Sequence, residues 1–332
     1  VAEQTNYAAT IPDSYAFARA KLRDSLLQSN DLPCDLHSLS RRKAQPLDIA
    51  DTVHSLGLTR QDGKFRLRIY TDRDLKNPED ILAKSKDLVG DLDMEVVRAE
   101  RAKAGGGKPD RRFMPGCPLH RRPYNVLVGG ISIGHPDEQT GTLGYFCRRA
   151  NDSASYILSA GHVFREDEVF QPGPRDCFPF LVKGEPVAKV THRASLTGPY
   201  PLDAAVAEVL TGYRPEILRI GKADAPAGAE FDMAVTKVGR TTGYTDGTIF
   251  EIRDSRIDVE GHGRVLFQDL LVIRKRGRHS YFGRPGDSGA LVVSSRDRRA
   301  VGLYFAGAKD GSYSLAQPIG PILAYFGAEL II

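Results

Sequence analysis

No apolar run in the 332-residue chain approaches the length of a membrane-spanning helix, so no such helix is expected. Cysteine is scarce and scattered, at Cys34, Cys117, Cys147 and Cys177, with no C-x-x-C pair. That lacks the density of a disulfide-stapled secreted framework and points to a reducing, cytoplasmic compartment. Cys117-Pro118-Leu119-His120 has the spacing of half a zinc site, but a second half is missing, so neither a metal nor an organic cofactor is expected. Residues 1–10 have no signal-peptide character. A strong charge imbalance is absent too: the net charge is +4. Such a mild excess does not imply a nucleic-acid partner. The basic run Arg274-Lys275-Arg276-Gly277-Arg278-His279 has no interleaved aromatics and reads as a solvated loop, which makes nucleic acid an unlikely ligand.

The length suits two or three domains. Within residues 1–48, the spacing of Tyr15, Ala18, Leu22 and Leu26 predicts a helix over 12–29, opened by Pro12 and Asp13. A polar stretch with a basic knot at Arg41, Arg42 and Lys43 follows. Residues 49–100 read as a small α+β regulatory or docking module. A first strand precedes the hairpin turn Asp62-Gly63, and Phe65, Leu67 and Ile69 alternate with polar residues beyond it. A helix starts at Asn77-Pro78, and Met94, Val96 and Val97 form another strand. Residues 101–123, with Gly105-Gly106-Gly107 and the pairs Arg111-Arg112 and Arg121-Arg122, have the composition of an exposed tether. From 124 to 332 short apolar or alternating runs recur about every ten residues, parted by Gly, Pro, Asp and Asn. That texture indicates a mainly β domain, a sandwich or a pair of barrels, closed by a helix over 321–330.

Gly286-Asp287-Ser288-Gly289 stands just before the apolar run Ala290–Val293. An ordinary β-turn has the same composition. A serine on such a turn, however, has an exposed oxygen and outward backbone N–H groups, as a nucleophile and its oxyanion hole require. A nucleophilic serine needs a base and a group that orients the base. Among eight histidines, His162 alone ends a strand-like run and follows small residues, in Ser159-Ala160-Gly161-His162. Asp203 lies among small apolar neighbours in Leu202-Asp203-Ala204-Ala205. A buried carboxylate there needs a specific partner, which an imidazole supplies.

These three blocks, in the order His162, Asp203, Ser288, resemble the signatures of trypsin/chymotrypsin-fold serine peptidases. Lys237-Val238-Gly239-Arg240-Thr241-Thr242-Gly243, Ala300–Gly307 and Gly129–Gly134 resemble, more narrowly, the Narrow Leaf-type branch of plants and bacteria. The resemblance spans roughly residues 124–330. It implies two six-stranded-type antiparallel β-barrels and a serine endopeptidase with protein or peptide substrates, plus a possible regulatory partner at the amino-terminal module. It implies a catalytic triad of His162, Asp203 and Ser288, and an oxyanion hole from the N–H groups of Gly286 and Ser288. Phe282 would form the floor of the specificity pocket, where basic-specific members carry an acid; a small or apolar residue before the cut is therefore expected. Phe305, Ala306 and Gly307 would pair with the substrate backbone. Asp287 would need a cation, either a freshly cut amino terminus or an internal one such as Arg284. A non-catalytic interaction scaffold on the same fold is the alternative.

Overall fold

The computed structural model describes residues 11–27, 52–75, 77–105, 117–135, 140–150, 152–164, 167–173, 176 and 185–332. The basic knot at 41–43 and the pair 111–112 lie outside them.

The carboxy-terminal half closes into a six-stranded antiparallel barrel. Its strands are β14 (Ala234–Gly239), β15 (Gly243–Val259), β16 (Gly263–Lys275), β17 (Leu291–Ser294), β18 (Ala300–Gly307) and β19 (Ser314–Pro318). The pairing runs β14–β15–β16–β19–β18–β17 and returns to β14. A closed ring leaves no sheet edge to protect. Its interior is apolar, with Val235, Ile249, Leu271, Ile273, Val292 and Val301 among the buried side chains.

The first barrel precedes it in the chain. It uses β5 (Leu127–Gly129), β6 (Ser132–Gly134), β7 (Thr140–Thr142), β8 (Tyr145–Arg149), β9 (Ser155–Ser159), β10 (Glu168–Val169), β11 (Ala188–Arg193), β12 (Ala205–Val209) and β13 (Tyr213–Ile217). The sheet order is β10–β11–β12–β9–β8, and β7 pairs β6. Gly134 and Phe170 exchange backbone hydrogen bonds of 3.1 and 2.8 Å, which joins β6 to the end of β10 and completes the circuit. Strands β13 and β5 pair in parallel beside that circuit; the two antiparallel barrels, as expected, make the fold mainly β.

The amino-terminal elements do not stand apart from these barrels. Helix α1 (Asp13–Leu26), β1 (Val53–Gln61), β2 (Lys64–Thr71), α2 (Pro78–Val89) and β3 (Met94–Arg98) form at the sequence-predicted places. Yet β1 pairs with β15 from Ser55 opposite Ser255 to Thr59 opposite Glu251. Strand β15 is 17 residues long, so its first part closes the barrel and its later part continues outward as the root of a second sheet. Ala18 and Leu22 of α1 pack with Leu56, Leu58, Leu67, Ile69 and Ile252 over that sheet. Arg19 and Arg23 reach the buried Asp254 at 3.5 and 3.8 Å. Burial pushes the Asp254 carboxyl above its ordinary range despite these cations. A second buried pair marks the junction itself. Arg253 Nε lies 2.7 Å from Glu251 Oε1, the Tyr70 hydroxyl donates to Glu251 Oε2 at 2.5 Å, and Tyr70 and Tyr313 flank the guanidinium.

Two expectations need correction. The tether at 101–123 is not free throughout: Lys103–Ala104 forms strand β4, held parallel to β15 and antiparallel to β18. The closing helix, α3, spans Ile319–Phe326 only. Gly327 takes a left-handed conformation at φ 57°, and Ala328–Leu330 (β20) turns back to pair with β8. Cys117 is disulfide-bonded, while Cys147 is a buried free thiol. Among the described residues no helix is long and apolar enough to cross a membrane.

Candidate active site

His162 lies in a short 3-10 turn, Gly161–Val163, directly after β9. Asp203 precedes β12, and β12 pairs with β9, so sheet register carries the carboxylate to the imidazole. Asp203 Oδ2 accepts from His162 Nδ1 at 2.5 Å, and Oδ1 accepts the His162 backbone N–H at 2.8 Å. Both side chains are buried. With Nδ1 donating, the neutral ring leaves Nε2 as an acceptor. That Nε2 is buried and has no hydrogen-bond partner among the described residues. Asp203 is held from the second barrel as well: the Gln317 side chain accepts from its N–H at 2.9 Å and donates to its carbonyl at 3.0 Å.

Ser288 comes from the second barrel, on the turn before β17. The Ser288 carbonyl accepts the Thr142 N–H at 2.9 Å, and the Thr142 hydroxyl donates to the Gly286 carbonyl at 3.0 Å. Thr142 thus stitches the Ser288 turn to the first barrel. The approach is close enough to demand glycine. Gly289 has φ +94°, and a Cβ there would stand 2.1 Å from Ser159 Oγ, on the strand that leads to His162. The Ser288 hydroxyl is buried at 1% residue exposure and donates to the Phe305 carbonyl at 3.3 Å. It makes no hydrogen bond to His162. Among the described residues, the Gly286 and Ser288 N–H groups donate to no backbone carbonyl.

The Asp287 side chain, next to Ser288, is fully buried. Its Oδ1 accepts the N–H groups of Thr241 and Thr242 at 2.7 and 3.0 Å, and Oδ2 accepts the Thr242 hydroxyl at 2.7 Å and the Arg284 N–H at 2.9 Å. The cation is Lys237, with Nζ 3.2 Å from Oδ2 and both side chains fully buried. Burial works against the carboxylate, but Lys237 and the ring of donors outweigh it and hold its pKa below the ordinary range. Burial also pulls Lys237 below its usual value, against the pull of Asp287. Arg284 gives only its backbone; its guanidinium stacks over Tyr281, 4.6 Å from the ring centre. The internal cation left open by the sequence is therefore Lys237.

Phe282 is buried at 1% exposure in the second-barrel core, with Lys237 Nζ 5.5 Å from its ring. Tyr304, not singled out by its sequence, lies beside it. A Cβ on Gly283 would stand 2.4 Å from the Tyr304 ring, and one on Gly307 would stand 3.4 Å from its hydroxyl. The ring therefore spans the gap between those two segments. Along the edge of β18, Ala306 and Gly307 are paired with Ala104 and Lys103. His120 belongs to no metal cluster among the described residues. Burial and the neighbouring Arg121 lower its pKa to about 4, and its ring stands 3.0 Å from where a Cβ on Gly243 would be.

Sequence reasoning missed Lys237, Gln317, Thr142 and Tyr304 as parts of this site. Only Lys237 and Tyr304 lay within blocks already singled out, and neither had a visible partner.

No family model matches the chain, and no curated protein matches it. Solved structures similar to it are trypsin/chymotrypsin-fold serine proteases. Thermobifida fusca Protease A aligns at 20% identity over 62% of this chain and 98% of that one, with a TM-score of 0.46. Cellulomonas bogoriensis chymotrypsin aligns at 20% identity over 61% and 97%, with a TM-score of 0.45. A glutamic acid-specific serine protease that uses a histidine triad in substrate binding aligns at 18% identity over 62% and 100%, also at 0.45. At such values the reading of the fold stands on the strand pairings given above.

Proposed function

We propose that the protein is a serine endopeptidase. Ser288 Oγ attacks the peptide carbonyl. His162 takes its proton through Nε2 and returns it to the leaving amine. Asp203 holds the imidazole tautomer and stabilises the imidazolium. The N–H groups of Gly286 and Ser288 receive the oxyanion, an interaction worth roughly 3 to 4 kcal/mol per donor in the transition state. The observation that carries this reading is the buried His162–Asp203 pair of the first barrel, with Nε2 unpartnered among the described residues, together with the Thr142 hydrogen bonds that tie the Ser288 turn to that same barrel. A serine–histidine bond that is absent without substrate is ordinary, since such bonds often tighten only in the reactive complex.

The substrates are proteins or peptides whose backbone adds to β18. Regulation by the amino-terminal unit, through a protein partner, belongs to the same proposal and is supported by its sheet being continuous with the second barrel. The narrower likeness to the Narrow Leaf-type branch rests on blocks that include Lys237 and Tyr304. The interaction-scaffold alternative draws on one observation, the Ser288 hydroxyl directed at Phe305. A fluorophosphonate probe decides between the two. Labelling at Ser288 that disappears in Ser288→Ala is the expected result; a folded protein that never reacts favours the scaffold. Proteomic mapping of cleavage sites, wild type against Ser288→Ala, then reads specificity.

A further inference from the structure

The edge of β18 assigned to substrate already carries a strand. Lys103 and Ala104 lie antiparallel to Gly307 and Ala306. On its other side this strand runs parallel to β15, with Lys103 opposite Asp258 and Ala104 opposite Val259. Continuing the antiparallel register by one residue sets Gly105 opposite Phe305. The Phe305 carbonyl is the group that accepts the Ser288 hydroxyl. The strand therefore leads its carboxy-terminal end toward the nucleophile, as a peptide awaiting cleavage would.

Side-chain alternation fits a bound peptide as well. Ala102 and Ala104 are buried with Val259, Phe267, Phe305 and Ala306, while Lys103 faces solvent. The amino-terminal unit delivers the segment. Ala99 donates to the Thr71 carbonyl at 3.0 Å, and His54 Nε2 donates to the Ala99 carbonyl at 3.0 Å. Tyr313 donates to the Glu100 carbonyl at 2.7 Å, and Arg101 reaches Asp72 at 2.8 Å. Opposite the end of the strand, Tyr304 fills the space between Gly283 and Gly307 above Phe282. A Cβ on Gly105 itself would meet only Glu260 Oε2, at 3.3 Å.

We propose that Lys103–Gly105 occupies the cleft as a tethered peptide, and that the site accepts peptides carrying alanine and then glycine immediately before the bond to be cut. The proposal rests on the serine peptidase reading. It makes docking of the amino-terminal unit a gate, because an external peptide must displace a strand whose effective concentration is in the millimolar range or above.

The test uses the full-length chain. Facing residues of antiparallel strands have Cα atoms about 4.5 to 5.5 Å apart, within disulfide reach. The Ala104→Cys, Ala306→Cys double variant is expected to cross-link on mild oxidation, a readout independent of catalysis. A fluorogenic peptide ending in Ala-Gly should be turned over at least about 10-fold more slowly by the oxidised form than by the same protein after reduction. Lys103→Pro, which removes a strand N–H, should cleave it faster than wild type, and a synthetic Glu100–Gly105 peptide should then inhibit competitively. Failure to cross-link overturns the tethered strand. Equal turnover in oxidised and reduced forms overturns the proposal while Ser288 labelling keeps the peptidase reading intact. A Ser288 that refuses the fluorophosphonate in every form overturns the peptidase reading and the substrate claim with it, and the cross-link still reports whether the strand is docked.

Discussion

Replacing Lys237 by Met tests how the nucleophile turn is held. Methionine keeps the length of the chain and suits the Phe282 and Tyr304 rings, which lie 5.5 and 5.8 Å from Nζ, so little volume is lost. The charge is lost. At 3.2 Å and an effective dielectric near 20, the attraction to Asp287 is about 5 kcal/mol before desolvation is subtracted. Removing one member of a buried pair costs about 3 to 5 kcal/mol, because the other charge stays buried. Four hydrogen bonds remain on the Asp287 carboxylate, which places the expected loss toward the lower figure. Denaturant unfolding at pH 7 measures it. The pH dependence has a definite sign. The folded-state pKa of Asp287 is depressed in wild type. Its stabilisation is therefore present above the unfolded value of about 3.9 and is lost as pH falls through the lower folded value. The gap between wild type and Lys237→Met should be widest near neutrality and should narrow below about pH 4. The same variant should lose on the order of 100-fold in Ser288 labelling, since Asp287 anchors the turn that aims both oxyanion donors. A gap under about 1 kcal/mol at pH 7, or one that pH leaves unchanged, refutes the reasoning.

Glu251→Gln should destabilise by about 3 kcal/mol or more by leaving Arg253 buried and uncompensated, and native-state hydrogen exchange should show β1–β3 opening before the barrels. Phe282→Ala, a large-to-small change in a closed core, should cost about 3 to 5 kcal/mol by thermal or denaturant unfolding. Gly289→Ala should abolish Ser288 labelling, because its methyl would meet Ser159 Oγ at 2.1 Å. His54 is buried, and burial together with Arg253 and Arg101 lowers its pKa to about 4. Its contribution is present above the unfolded value near 6.5 and is lost as pH falls toward 4, a change of roughly 3 kcal/mol. His54→Gln should lack that part of the pH profile, with unfolding followed at pH 7 and 4.5.

Much of the fold was legible because strand periodicity and turn chemistry are local. The alternation of Phe65, Leu67 and Ile69 placed β2, and the spacing of Ala18 and Leu22 placed α1. What escaped were pairings between residues far apart in the chain. Nothing near Lys103 announces a strand, because a two-residue β4 exists only where β15 and β18 leave a slot for it. Ala328–Leu330 continues an apolar helical pattern, yet the left-handed Gly327 and a free edge on β8 turn it into a strand. Lys237 reads as a solvated lysine until Asp287, fifty residues on, lies beside it.

The sequence by itself determined the chemistry on offer: an imidazole, a carboxylate and a hydroxyl, each beside small residues, in a chain patterned for a mainly β fold. Those features depend on neighbours in the chain, through side-chain volume and backbone preference. Tertiary structure alone decided which cation balances Asp287, that Tyr304 fills the gap above Phe282, and that the chain lays its own Lys103–Ala104 along β18. Each of these is a contact between distant segments, set by barrel closure and by the outward reach of β15, and no local pattern encodes it.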